Sequence, residues 1–282
     1  MALMLACGLL LAAGVVGVVC WGGADVGLPP VEGPPGRSSP GLVARRYLWY
    51  LTLAVVSGLG SGVLVAGAGG RLAMRLLAAT AGESAQGRLT EADEVVGRIS
   101  AGGTITFVVF VALFFGTASG VVYLVIRRWL PRGRLGGLTY GAVLLVAAAT
   151  RLDPLRADNP DFDLVGPGWL AVVVFGALVV VHGMLVAAVA GRYSQALPSP
   201  SRDRRSLARH APLGLLLPAA PVVVLLAVAG ALAVALSRLE PLVAFLRSSR
   251  FVAGGRVALG IAGLVALPGS VSALIDIAGR QP

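Results

Sequence analysis

Residues 169–190 read WLAVVVFGALVVVHGMLVAAVA, an apolar run of 22 residues in which His182 is the one ionisable side chain. At the helical rise of about 1.5 Å per residue, this run is long enough to cross the roughly 30 Å hydrocarbon core of a bilayer. It therefore predicts a transmembrane helix.

The composition of the whole chain indicates that lipid is the solvent for most of its surface. Of the 282 residues, 57% are hydrophobic and 13% are charged, and the mean hydropathy is +0.87. Soluble domains carry about 25% charged residues. We predict an all-α, polytopic transmembrane helical bundle of about seven spans. Their approximate bounds are 2–22, 47–68, 99–126, 135–150, 169–190, 213–236 and 257–277.

The count falls to six if the first run is a cleaved signal peptide or if the last pair does not cross the membrane. No arginine precedes the first run and no A-x-A site follows it, which favours a retained helix. We divide the chain into the first helix (1–22), a Pro/Gly-rich linker (23–46), a core four-helix membrane unit (47–193), a basic cytoplasmic linker (194–211) and C-terminal membrane helices (212–282).

The distribution of arginine predicts the orientation, because cytoplasmic segments carry an excess of basic residues. With the N-terminus outside and the C-terminus cytoplasmic, 13 of the 23 arginines lie on inner segments. One outer segment opposes this arrangement, since it carries Arg238, Arg247, Arg250 and Arg256. An interfacial helix over 242–251 would place these arginines among lipid headgroups.

Small residues four apart occur in two of the predicted spans. Gly58 and Gly62 form one pair, and Gly116 and Gly120 form another. Such pairs allow the backbones of two membrane helices to approach closely.

The first long polar stretch, residues 69–98, reads GGRLAMRLLAATAGESAQGRLTEADEVVGR. Arg71 and Arg75 are one turn apart on one helical face, on a helix that either lies in the interface or extends the second span. Thr90 followed by Asp93 predicts a helix start that leads into the third span. Glu94 and Arg98 have the spacing of an ion pair on that helix.

The second polar stretch, residues 151–167, lies on the same outer side in this topology. Asp158, Asn159, Asp161 and Asp163 resemble a calcium loop in composition only, and Asx-turns explain them equally well, so we predict no metal site. We expect the two stretches to form one polar cap over the bundle, with a stabilising or ligand-binding role. Its candidate residues are Arg71, Arg75, Glu91, Asp93, Glu94, Arg98, Arg151, Asp153 and Arg156.

Two ionisable residues fall within or near the ends of predicted spans. His182 is a candidate for proton or ion transfer, because ionisable groups inside a membrane are usually functional. The alternative is a hydrogen bond to a backbone carbonyl or to a Ser or Thr on a neighbouring helix. Asp276 and Arg280 are spaced for an ion pair at the inner surface.

No signature of a catalytic site is present: the chain has no P-loop, no G-x-S-x-G and no H-E-x-x-H. Ser61, in GLGSG, offers only part of the setting that a serine nucleophile needs. We predict a non-enzymatic scaffold or sensor of the cell envelope, without cofactor; the alternative is a small permease for a solute or ion. The expected partners are the lipid bilayer and its anionic headgroups, with any protein partner unidentified. Nucleic acid is not expected, because the arginines lie at the ends of apolar runs.

The segments GRLAMRLLAATAG, GRLTEADEVVGRI and TRLDPLRADNPDFDLVGPGWLAV resemble a group of uncharacterised actinobacterial multi-pass integral membrane proteins. The resemblance covers about residues 47–193. It implies a membrane location and a lineage, together with a core unit formed by spans two to five, and it implies no biochemical activity.

Overall fold

The computed structural model describes residues 1–29, 39–201 and 203–281, and the described part is helical with no β-strand. The predicted all-α class is therefore confirmed. The helices are α1 (Ala2–Trp21), α2 (Pro40–Thr80), α3 (Ala101–Ile126), α4 (Arg134–Ala149), α5 (Gly168–Ser194), α6 (Arg204–His210), α7 (Ala220–Leu236), α8 (Glu240–Arg247) and α9 (Ser249–Gly279). Of the predicted linker over 23–46, residues 30–38 lie outside the described residues.

Helix α2 is longer than the predicted second span. It begins at Pro40, where the Ser39 hydroxyl accepts a hydrogen bond from the backbone N–H of Leu42, and it continues through a π-turn at Gly62–Gly67 to Thr80. Proline suits the first turn because its missing N–H has no partner there. Arg71 and Arg75 therefore extend the second span, which was one of the two expected arrangements.

Glycines bring the central helices into backbone contact. A Cβ added at Gly58 on α2 would overlap the carbonyl of Gly116 on α3, and one added at Gly120 would overlap the carbonyl of Ala54. Gly141 on α4 likewise meets the backbone of Val180 on α5. The expected role of the glycine pairs is confirmed, and the structure adds that the two pairs pack against each other.

The first helix packs on this core. Gly14 of α1 lies against Val65 of α2 and Leu185 of α5, and the backbone after α1 passes Gly191, close to the end of α5. The start of α1 reaches the other end of the bundle, where Met4 lies near Arg71. We call that end, formed by residues 81–100 and 151–167, the cap end, and we call the opposite end the arginine-rich end.

The predicted sixth span does not cross the bundle. The Tyr193 hydroxyl donates to the carbonyl of Arg209 (2.9 Å) just before the segment, and Arg128 donates to the carbonyl of Leu246 (2.8 Å) after it. Both contacts are at the arginine-rich end. Between these two contacts, Leu216 packs against Val55 and Leu59 of α2. The chain then returns to the arginine-rich end along α7, and α8 is bent by 106° from α7.

Helix α9 carries the chain back to the cap end. Near its start, Gly255 packs on Trp129, and beyond its end the backbone carbonyl of Arg280 accepts a hydrogen bond from Gly168 N–H (3.1 Å). Five described helices are long and apolar enough to cross a membrane, or six if the bent α7–α8 pair counts as one. In the observed packing the five and the short α4 each run between the two ends. Seven spans are therefore not confirmed, whereas six, which the sequence also allowed, agrees with the five long helices and α4. The termini differ from the predicted opposite placement, because α1 begins and α9 ends at the cap end.

The helix predicted to start at Thr90 is also absent. Residues 88–96 form a short hairpin, with a Leu89–Val95 bridge and Asp93 at a φ of 56°, and α3 begins only after Ser100, whose hydroxyl accepts a hydrogen bond from Gly103 N–H. Thr90 accepts the N–H of Glu94 within this hairpin (3.2 Å). The local turn thus uses the capping hydroxyl that we had assigned to a helix.

Candidate functional site

The two polar loops at the cap end are tied together by an ion pair and a backbone hydrogen bond. Arg156 Nη2 lies 2.6 and 2.7 Å from the two carboxylate oxygens of Glu91. The backbone N–H of Glu91 donates to Asp161 Oδ1 at 2.8 Å. Arg156 also lies 3.4 Å from Asp158. These contacts join residues 81–100 to residues 151–167, as the polar-cap prediction requires.

The end of α2 places two arginines beneath the first loop. The Arg71 guanidinium lies 4.0 Å from a Glu94 carboxylate oxygen and 5.2 Å from the centre of the Phe107 ring. Arg75 Nη1 donates to the carbonyl of Gly97 at 3.1 Å. Both arginines therefore face the gap between α2, α3 and the loop above them.

That gap is a cavity of about 520 Å³. Its walls are apolar below and polar above. The apolar walls include Leu77, Phe107, Phe110, Phe162 and Phe175, and the polar rim includes Arg71, Arg75, Glu94, Arg98, Asp153 and Asp161. A cavity of several hundred Å³, lined mainly by apolar side chains with a few convergent polar groups, is typical of small-molecule sites.

The structure brings together most of the predicted cap residues. Arg71, Arg75, Glu94, Arg98 and Asp153 line the cavity, and Glu91 with Arg156 joins the loops above it.

Other cap predictions fail. Arg151 points away and donates to the carbonyls of Val146 (2.7 Å) and Ala266 (3.5 Å), and Asp93 is an exposed hairpin residue. The predicted Glu94–Arg98 pair is replaced by the approach of Glu94 to Arg71. The reason is that residues 88–96 form a hairpin, so the spacing of four carries no helical geometry.

Two carboxyl groups on the rim have altered proton affinity. Burial raises the pKa of Asp161, and the N–H of Glu91 offsets part of that rise. Partial burial also raises the pKa of Asp153, an otherwise exposed residue, and the charge of Arg156 opposes this rise. Removal from water disfavours the charged form of a carboxyl group.

A second polar cluster lies deep in the bundle, around His182 of α5. His182 Nδ1 is 2.8 Å from Ser61 Oγ of α2, and its Nε2 is 3.1 Å from Ser119 Oγ of α3. Ser119 Oγ is in turn 3.1 Å from the hydroxyl of Tyr140 on α4, which donates to the Ser119 carbonyl. One residue from each of four helices thus meets in a single hydrogen-bonded network.

The network fits a neutral imidazole with its proton on Nδ1, because the one hydroxyl proton of Ser61 goes to a carbonyl, which leaves Ser61 to accept from Nδ1 and Ser119 to donate to Nε2. Ser61 also donates to the backbone carbonyl of His182 at 2.9 Å. Ser61 is 0% exposed and His182 is 8% exposed. The predicted alternative, a histidine satisfied by neighbouring hydroxyls, is confirmed, and the tight burial of Ser61 does not suit a nucleophile that must meet a substrate.

The apolar half of the cavity was not predicted. Phe107 and Phe110 read as ordinary span residues, and Phe162 as a loop residue, because nothing in their spacing tells which helices become neighbours. The tie of Arg280 to the second loop was missed for the same reason, whereas its pair with Asp276 is confirmed at 2.9 Å. That pair lies at the cap end, together with loops that the sequence had placed on the opposite side of the membrane from it.

Comparisons with protein-family models, with curated proteins and with solved structures each give no match.

Proposed function

We propose that this protein is a non-enzymatic sensor or scaffold of the cell envelope that binds a small ligand in the cavity at the cap end. The observation that carries the proposal is the cavity itself, about 520 Å³ between α2, α3 and two loops joined by Glu91, Arg156 and Asp161. The two loops are joined above the apolar walls of the cavity. A ligand that binds against these walls therefore changes how the loops pack.

The charge distribution supports an orientation with the cap end outside the cell membrane. Among the described residues the arginine-rich end holds 14 arginines and three acids, whereas the cap end holds seven arginines and nine acids. The 14 are Arg45, Arg46, Arg127, Arg128, Arg132, Arg134, Arg192, Arg204, Arg205, Arg209, Arg238, Arg247, Arg250 and Arg256. Cytoplasmic loops are the ones enriched in arginine. Residues 211–247 follow a re-entrant path that returns to the arginine-rich end, so the four arginines that opposed the predicted orientation lie there as well. They increase the excess of arginine at that end over the cap end.

The arginine-rich end also suits contact with anionic headgroups of the inner leaflet. Helix α8 exposes Phe245 and Leu246 next to Arg247, which is the pattern of a short interfacial helix. The sequence had placed such a helix over 242–251, and the structure divides that range at Ser248. We propose lipid, with no nucleic acid, as the partner at this end.

A permease is the second candidate, and the observation in its favour is the chain of hydroxyls around His182 near the middle of the bundle. Against it stands the packing of the same layer, where the backbones of Gly58 and Gly116 touch. A transport path requires a polar opening at this depth. The cavity at the cap end therefore carries the proposal.

The test is the retention of a small molecule by the protein purified in an uncharged detergent from its own membranes. We compare three proteins by mass spectrometry of the denatured extract: the wild type, Thr106→Trp, whose side chain lines the cavity, and Ile105→Trp, whose neighbouring side chain is 59% exposed on the outside of α3. We expect a compound retained by the wild type and by Ile105→Trp and lost from Thr106→Trp. The same extract from all three proteins would contradict the proposal.

A further inference from the structure

We infer that the cavity at the cap end takes an anionic amphiphile from the outer leaflet, with the charged head beside Arg71 and Arg75 and the chain along Phe107 and Phe110. This inference rests on the proposed function and names the ligand class. Four features of the site support it. They are arginine N–H groups that make no hydrogen bond among the described residues, a buried hydroxyl with no partner there, the placement of the paired carboxylates on the opposite wall, and an opening bordered by apolar side chains.

The arginines at the site use few of their donors. A guanidinium has five N–H groups arranged for carboxylate or phosphate oxygens. Arg75 makes one hydrogen bond in the described part of the chain, to the Gly97 carbonyl. Arg71 has a side chain 14% exposed, its nearest carboxylate oxygen is 4.0 Å away, and its buried Nε meets no acceptor among residues 1–29, 39–201 and 203–281.

A hydroxyl in the same wall is also unsatisfied. Thr104 is 3% exposed and lines the cavity, and its Oγ1 has no hydrogen-bond partner within the described ranges. A buried polar atom without a partner lowers stability, so such atoms are few in folded proteins. Together with Arg71 it offers donors on one side of the cavity.

The carboxylates on the opposite wall are already engaged. Asp161 accepts the N–H of Glu91, and Glu91 is held by Arg156. An anion that binds on the side of α2 therefore meets N–H groups of Arg71 and Arg75 that make no other hydrogen bond within the described structure. The carboxylates of Asp161 and Glu91 are held by their own partners in the two loops. Glu94 and Asp153 are the exceptions. The 4.0 Å separation of Glu94 from Arg71 is too long for a hydrogen bond that the anion would have to displace, and Asp153 lines the cavity without an ion pair in the part of the chain that the structure describes.

The apolar walls of the cavity and its opening favour a ligand that has a hydrocarbon chain as well as a charged group. Helices α2 and α3 touch where Gly67 meets Val108, and a Cβ at Gly70 would meet the Phe107 ring at 3.2 Å. Met74 and Phe110, which are 38% and 51% exposed, both line the cavity. Phe110 lies well inside the apolar part of α3, so the gap opens toward lipid as well as toward water.

The test uses palmitate carrying a diazirine near its methyl end, added to the full-length protein in nanodiscs of zwitterionic phosphatidylcholine. After irradiation, labelled peptides are mapped by mass spectrometry. We expect saturable labelling of the segments that contain Met74 and Phe110, competed by unlabelled palmitate and by dodecyl phosphate. Hexadecanol and inorganic phosphate should compete at least about tenfold more weakly, the difference expected when charge-assisted hydrogen bonds or chain burial are lost.

Variants separate the charge from the cavity. Arg75→Gln, and Arg71→Gln if it folds, should weaken labelling about tenfold or more. Arg88→Gln should leave it unchanged, because Arg88 is an exposed arginine of the 81–100 loop that does not line the cavity. Equal competition by hexadecanol, or full labelling of Arg75→Gln, would overturn the anionic class while leaving the ligand site intact. Competition by inorganic phosphate alone would show that the site binds a free anion and not an amphiphile. Labelling that is unsaturable and indifferent to Thr106→Trp would overturn this inference, and the proposed function would then be judged on the retention experiment alone.

Discussion

Nη1 of Arg280 lies 3.4 Å from Asp163 Oδ2. This contact joins the end of α9 to the loop before α5. Arg280 Nη2 is 2.9 Å from Asp276 and also donates to the carbonyl of Ala157. These contacts require α9 to finish at the cap end. Since α9 starts beside Trp129 at the other end, the segment between α5 and α9 must leave and return to the arginine-rich end.

The glycine contact between α2 and α3 gives a packing prediction. Gly58→Ala should lower the free energy of unfolding by about 1–3 kcal/mol, because the added methyl group overlaps the backbone of Gly116. Gly60, two residues away on the same helix, has open space where a Cβ would lie, so Gly60→Ala should be neutral or slightly stabilising. Unfolding by dodecyl sulfate in mixed micelles measures both. Equal effects of the two substitutions would mean that α2 and α3 do not cross at these glycines.

The network around His182 gives a prediction that also separates the two candidate functions. His182→Phe keeps a planar ring, somewhat larger than imidazole, but removes two interhelical hydrogen bonds, which should cost about 1–3 kcal/mol of unfolding free energy. His210→Phe is the control, because His210 lies outside the network and bonds to its own helix.

In liposomes with an imposed pH gradient, a sensor or scaffold should give the same slow proton leak in the wild type and in His182→Phe. A wild-type flux that disappears in His182→Phe and persists in His210→Phe would favour the permease instead.

The half-buried rim carboxylate Asp161 gives a pH prediction. Burial raises its pKa, so the folded protein binds this proton more tightly than the unfolded chain does. The charged form therefore lowers stability above the raised pKa, and this penalty fades as the pH falls through it.

Asp161→Asn, which can still accept the Glu91 N–H, should raise the thermal midpoint at pH 7, and its advantage should shrink toward pH 4. Glu83→Gln, at an exposed cap residue, should show no such convergence. An Asp161→Asn protein less stable at pH 7 than the wild type would show that the charge of Asp161 is favourable in the folded state.

Hydropathy was sufficient to predict most of the bundle. The long runs around Gly14, Gly116 and His182 became helices at nearly the expected bounds, because a backbone in lipid has few alternatives to the helix. The glycine pairs also predicted close contact correctly, since a missing Cβ allows close approach wherever the partner lies.

The remaining features depend on which elements become neighbours. Residues 213–236 are equally apolar whether they cross the membrane or return, and only the contacts of Leu216 and Leu246 distinguish the two paths. His182 could not be assigned its serines, because Ser61 is 121 positions away in the chain. Thr90 was misread because a turn between positive-φ residues, Gly87 and Gly97, competes with a helix start.

The most direct test of the account asks whether the cap loops and the C-terminus lie together outside the cell. In a protein with Cys7 and Cys20 replaced, single cysteines are placed in turn at Ser84, Gln281 and Ser201, and intact cells are treated with a membrane-impermeant thiol reagent. We predict that Ser84→Cys and Gln281→Cys are labelled in intact cells and that Ser201→Cys is labelled only after lysis. Protection of Ser84→Cys would place the cavity in the cytoplasm, and labelling of Ser84→Cys without Gln281→Cys would contradict the re-entrant path.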